Sequence, residues 1–160
     1  LPYCSGVCCL ASLKQANYVI ERNPAAWVYI YFIDIRALGK FEDFYGKVKA
    51  NTSIHLIKGK AGNISEDSVT KDLIVAAEDQ VNQELMKEKF DLVVLATGMV
   101  PMTREMKASV DLVYDANGFV VGSKPGIYGA GCASRPMDVA SCIQDATAAA
   151  LKALQSSVGR

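Results

Sequence analysis

The stretch WVYIYFIDIRALGKFEDFYGKVKANTSIHLIKG, residues 27–59, decides the fold class. It opens on an aromatic and β-branched run from Trp27 to Ile35, the composition of a buried strand. Gly39 breaks that run, and residues 40–51 follow with the spacing of an amphipathic helix. Residues 53–59, SIHLIKG, give a second short strand. Strand, helix and strand in this order form the crossover unit from which parallel sheets are built.

Upstream, residues 5–22 read as a helix, with Val7, Leu10, Ala11, Leu13 and Ile20 returning at helical spacing and Asn23-Pro24 ending it. Downstream, residues 62–69, 71–79 and 83–90 are short, polar and partly alternating, the pattern of a small antiparallel meander. FDLVVLATG, residues 90–98, reads as an apolar strand running into Thr97-Gly98. GFVVG at 118–122 and GIYGAGC at 126–132 read as short strands. An Ala-rich helix is expected from Pro136, at home in a first turn, to about Gln155, with Val139, Cys142, Ile143, Ala146 and Ala150 on its buried face. The expectation is an α/β fold: an open Rossmann-like sheet, of the thioredoxin-reductase-like FAD/NAD(P)-binding kind, with a small antiparallel β-meander. No G-x-G-x-x-G follows a strand anywhere in the chain.

The 160 residues carry 17 Lys plus Arg against 17 Asp plus Glu, so no charge footprint points to nucleic acid. The longest apolar run, near residues 27–33, falls far short of the roughly 20 residues that a membrane helix requires. A cytoplasmic chain with no direct membrane insertion is expected. It begins with Leu1 and reads as a segment of a longer protein.

Three of the five cysteines, Cys4, Cys8 and Cys9, lie in PYCSGVCCL at the head of the first helix. A helix beginning near Ser5 would set Cys4 and Cys8 about one turn apart and turn Cys9 roughly 100° further round. Backbone N–H groups and the positive end of the helix dipole favour thiolates there. An iron–sulfur cluster suits such a place, because its thiolate-coordinated sulfurs accept N–H hydrogen bonds. The alternative is that small cysteines simply pack a helix start. C-x3-C-C matches neither the usual zinc nor the usual ferredoxin spacing.

A second constellation is GIYGAGCA before the last helix. Gly129 and Gly131 let backbone approach a ligand, and a following helix offers N–H groups to an anion, or the segment is a tight turn with no ligand. With LATG thirty residues earlier, the reading moves towards a dinucleotide site. His55, the only histidine, reads as structural or surface-exposed, and Asp34 with Arg36 as a salt bridge or subunit contact. Cys132 is expected to touch a ligand, and Cys142 to face the helix core as an inert thiol. No Ser–His–Asp set or hydrolytic carboxylate pair is present.

Taken together, YCSGVCC, YFIDIRALGKFEDFY, DLVVLATGMVP and GIYGAGCASRPMDVASCIQDATAAA resemble the flavoproteins built like the A-subunit of heterodisulfide reductase, over essentially the whole chain. The resemblance is strongest to the branch formed by the A-subunit of the quinone-interacting membrane-bound oxidoreductase of sulfate reducers. It implies that residues 1–98 are a degenerate NAD(P)-type domain whose cysteine segment replaces the glycine loop, and that residues 99–160 return to the FAD-binding domain. It implies that Cys4, Cys8 and Cys9 are [4Fe–4S] ligands, with a fourth cysteine upstream. It places FAD against Thr97, Gly98, Gly131 and Cys132. Ordinary thioredoxin-reductase relatives carry Asp at the position where Cys132 stands. The implied role is an oxidoreductase subunit relaying electrons between FAD and clusters, and between the quinone pool and cytoplasmic sulfate-reduction enzymes. Implied partners are other subunits of a membrane-associated electron-transfer complex and adenylylsulfate reductase. The 160-residue chain alone is expected to bind neither cofactor firmly. Two rival readings are an NAD(P)H-dependent disulfide oxidoreductase using the cysteine motif and a non-enzymatic zinc-binding scaffold.

Overall fold

The computed structural model describes residues 1–106, 110–122 and 126–158, with only the backbone of Arg104. The chain forms two compact units: a continuous one, Cys9–Ala96, and a discontinuous one made of Leu1–Cys8 with Thr97–Arg160. The division falls just after Cys8, the first residue of helix α1 (Cys8–Arg22).

In the continuous unit, β1 (Val28–Phe32), α2 (Phe41–Lys49) and β2 (Ile54–Lys58) form the expected crossover unit. β1 and β2 pair in parallel, Val28 opposite Ile54 and Phe32 opposite Lys58. The core lies where α1 and α2 cover this pair: Leu13, Ala16, Val48 and Ile54 are buried, with Leu10, Ile20, Val28, Ile30, Phe44 and Leu56 packed around them. Burying a side chain such as Leu13 contributes roughly 1.5–3 kcal/mol. The stripe on α1 is Leu10, Leu13, Ala16 and Ile20; Ala11, expected on it, is exposed.

β1 is half-buried, not enclosed on both faces as its composition suggested. Its other face is aromatic. His55 stacks between Trp27 and Tyr29, with ring centroids at 5.2 and 4.7 Å, and Phe90 meets Tyr29 edge-on at 5.2 Å. Aromatic rings gain by such offset and edge contacts beyond their buried area. Thus the lone histidine is structural. Asp34 and Arg36 form the expected ion pair at 3.4 Å, exposed to solvent.

The expected meander is present as β3 (Ala61–Glu66), β4 (Leu73–Asp79) and β5 (Glu84–Phe90), antiparallel in that order. Its β4–β5 turn is fixed by Asp79, whose carboxylate accepts the Val81 and Asn82 N–H groups at 2.9 and 3.2 Å. These bonds hold the Asp79 pKa below the usual carboxylate range. Between β2 and β3 the chain passes through Gly59, whose N–H donates to Phe32 O at 2.8 Å. A Cβ there would lie 1.7 Å from Glu78 O.

The expected strand over residues 90–98 does not form: β5 ends at Phe90, and residues 92–98 have no regular structure. A buried parallel strand exists only through its neighbours. Here Leu92, Val94 and Leu95 are 75%, 71% and 67% exposed.

The discontinuous unit has a small core of Phe119, Val120 and Met137. Of the two short strands expected here, the described residues show a single bridge, Tyr114 to Val120, and a 3-10 turn at Gly131–Ala133. Helix α3 spans Val139–Val158. It starts after Pro136 because Asp138 caps it, accepting the Ser141 N–H at 2.9 Å and the Ser141 hydroxyl at 3.0 Å. Its packed side is Ser141, Cys142, Asp145 and Ala149, whereas the expected face of Val139, Ile143, Ala146 and Ala150 is exposed. Only Cys142 belongs to both sets.

Candidate functional site

The helix at the cysteine motif begins at Cys8, three residues later than the periodicity suggests. Gly6 takes a left-handed φ of 68°, which interrupts the helix, and its N–H donates to Cys4 Sγ at 3.4 Å. Cys4 and Cys8 are therefore not one helical turn apart. Cys4 is exposed, Cys8 half-buried, and the half-buried Cys9 thiol donates to Asp34 O at 3.6 Å. Among the described residues, no three His, Cys, Asp or Glu side chains are gathered as a metal site. The donor set still fits an iron–sulfur cluster in kind: every candidate ligand is a free thiol, and a backbone N–H is already directed at one of the sulfurs.

Ser5, beside Cys4, is 2% exposed and does not cap α1. Its hydroxyl oxygen accepts the Met99 N–H at 2.7 Å. The Tyr3 hydroxyl donates to Met99 O at 2.9 Å, and the Tyr3 ring meets Phe119 edge-on at 5.4 Å. Gly98 passes directly against this segment at φ 89°; a Cβ there would lie 2.6 Å from Ser5 Oγ. The structure thus brings the YCS and TGM segments together, although more than ninety residues separate them. Thr97 and Gly98 are both exposed.

The glycine turn is organised by Asp145, a residue outside both sequence constellations. Gly131 has φ 59°, and its N–H donates to Asp145 Oδ2 at 2.8 Å. The Ser134 hydroxyl lies 3.0 Å from Gly131 O and 3.2 Å from Asp145 Oδ2, and Arg135 pairs with Asp145 Oδ1 at 3.8 Å. Gly129 presses on Val120, whose backbone oxygen would be 3.1 Å from an added Cβ. Beside the turn lies a cleft of about 340 Å³, lined by Tyr128, Gly129, Ser134, Arg135, Asp145 and Lys152 among others. Cys132 directs its thiol towards Met137 O and Cys142 Sγ, 3.6 Å from each. Cys142 therefore has a partner, where an inert core thiol was expected. The one signal for Asp145 was a lone carboxylate in an Ala-rich helix just after a glycine turn.

No family model matches the chain. Relatives of known name do. The chain is similar to the CoB–CoM heterodisulfide reductase iron-sulfur A-subunit 2 of Methanopyrus kandleri, 35% identical over 95% of this chain and 25% of that protein. It is similar to the A-subunit of the ferredoxin:CoB-CoM heterodisulfide reductase of Methanosarcina acetivorans, 34% identical over 94% of this chain and 20% of that protein. It is also similar to the CoB–CoM heterodisulfide reductase iron-sulfur A-subunit of Methanocaldococcus jannaschii, 34% identical over 92% of this chain and 24% of that protein. These relatives are oxidoreductases by name. The chain is thus similar to one part of heterodisulfide reductase A-subunits, and spans about a quarter or less of the length of the relatives it matches.

Proposed function

We propose that this chain is part of an oxidoreductase subunit that relays electrons between FAD and [4Fe–4S] clusters. The observation that carries the reading is the tie between the Cys4 segment and the Gly98 segment, made by Ser5 Oγ and Tyr3 Oη on Met99. One carries the first motif cysteine, the other the candidate flavin-contacting glycine. The relatives named as iron-sulfur proteins support the cluster half.

In this reading Cys4, Cys8 and Cys9 supply three thiolate ligands, and a further cysteine of the parent protein the fourth. The Gly6 N–H stabilises negative charge on Cys4 Sγ. Thr97, Gly98, Gly131 and Cys132 would hold the flavin, Gly98 and Gly131 offering it backbone without a side chain. The cofactors would together supply stepwise one-electron transfer. The chain combines a degenerate NAD(P)-type domain, residues 1–98, with a return segment of a Rossmann-like FAD domain, residues 99–160. The resemblance to the sulfate-reducer branch points to a place between the quinone pool and adenylylsulfate reductase. There the protein would sit on the cytoplasmic side, membrane-associated through partner subunits. No helix among the described residues is long and apolar enough to cross a membrane.

Anaerobic reconstitution of the complete parent protein with iron and sulfide tests this. The expected result is a low-temperature paramagnetic signal on reduction that is lost or altered when Cys4, Cys8 or Cys9 becomes Ser. An iron-free protein that takes up zinc at those cysteines, or a cluster indifferent to all three substitutions, would overturn it.

A further inference from the structure

We infer that Cys132 and Cys142 are a redox-active dithiol that closes to an intrachain disulfide by exchange with a small disulfide. The two sulfurs lie 3.6 Å apart, and both residues are half-buried free thiols. Their backbones are anchored independently of that contact. The turn bearing Cys132 is held to α3 through the Gly131 N–H and Ser134 hydroxyl on Asp145. The turn of α3 bearing Cys142 is held by the Cys142 N–H on Asp138 O at 2.9 Å and by the Asp138 cap. Gly131, whose left-handed φ of 59° favours glycine, packs directly on Cys142: a Cβ there would sit 3.4 Å from Cys142 Sγ. A disulfide needs sulfurs about 2.05 Å apart. Closure requires the two sulfurs to approach from 3.6 Å to that length.

The exchange balances without any bound cofactor. One protein thiolate attacks a sulfur of a small disulfide, RSSR, releasing RS⁻ and leaving a mixed disulfide. The second thiolate attacks the protein sulfur of that mixed disulfide and displaces the second RS⁻. Two protein thiols are oxidised, one RSSR is reduced to two RSH, and the two thiol protons pass to the departing thiolates. The hydrogen bond to Cys132 raises the Cys142 pKa, and burial and the neighbouring thiol push it further in the same direction.

Cys132 also stands in the turn proposed to face the flavin, but the test reads peptides and not electron transfer, so it succeeds or fails separately from that reading. The complete protein is incubated anaerobically with oxidised glutathione, its free thiols are alkylated, and it is cleaved before aspartates. That cleavage puts Cys132 in residues 115–137 and Cys142 in residues 138–144. The expected product is these two peptides joined, and separated again by dithiothreitol. With Cys142→Ser, Cys132 should carry one glutathione, the trapped intermediate; with Cys132→Ser, the joined peptide should be absent. Both peptides recovered alkylated from the unaltered protein would overturn the inference, as would either joined to Cys4, Cys8 or Cys9.

Discussion

Ser5 Oγ accepts the backbone N–H of Met99 at 2.7 Å, from a segment more than ninety residues further along the sequence. Ser5 is almost fully buried and Met99 half-buried, so water is a poor substitute for this bond. Ser5→Ala should therefore cost about 1–3 kcal/mol, the penalty for a donor left unsatisfied. Thermal or urea unfolding checks this; an unchanged midpoint would show that the tie contributes nothing.

Gly98 and Gly126 share a left-handed backbone, with φ 89° and 87°, and differ in surroundings. Among the described residues an added Cβ meets nothing within 4 Å at Gly126, but it would lie 2.6 Å from Ser5 Oγ at Gly98. Gly126→Ala should cost only the conformational penalty, about 1–2 kcal/mol. Gly98→Ala should cost clearly more, and should lose part of its excess in a Ser5→Ala background. Paired denaturation curves of the four proteins decide the point.

Asp145 joins α3 to the glycine turn through Gly131 N and Ser134 Oγ. Asp145→Ala should destabilise the protein by about 1–3 kcal/mol, because the Gly131 N–H loses its acceptor. Asp145→Asn, which keeps a carbonyl oxygen, should recover part of that loss. Amide hydrogen exchange at Gly131 should speed up in the alanine variant and less so in the asparagine one.

Asp79 and Asp138 both have pKa values held below 3.8, chiefly by backbone N–H groups of Val81 and Ser141 respectively. A carboxyl whose pKa is lower folded than unfolded binds fewer protons in the folded state. The stabilisation is thus fully present above the ordinary carboxylate pKa and is lost as pH falls through the lowered native values. Stability should be flat from pH 7 to about 5 and fall below about 4. Asp79→Asn and Asp138→Asn should flatten that fall, which acid titration followed by circular dichroism would measure.

Features with a local cause were legible in the sequence. α2 and the three-stranded meander lie where periodicity and turn residues put them, since those signals act within a few residues. The ends of helices were less legible. α1 starts late because Gly6 adopts a left-handed φ and Ser5 turns to a distant partner. α3 starts late because the side chain of Asp138 supplies the cap, two residues beyond the proline that suits a first turn. Residues 92–98 read as a strand because apolar runs look alike whether or not a neighbouring strand exists. The site shows the same split. The cysteines and glycines could be read singly, but the meeting of Ser5 with Met99, of Gly131 with Asp145 and of Cys132 with Cys142 is tertiary.

Gly59 has a bearing on how this polypeptide can vary or be redesigned. Its Cα lies so close to the Glu78 carbonyl that even one carbon would overlap it. The obstacle is main chain, and no alternative rotamer relieves it. Neighbouring surface lysines can be exchanged in the course of drift or engineering, whereas position 59 admits no amino acid with a side chain unless two sheets move apart.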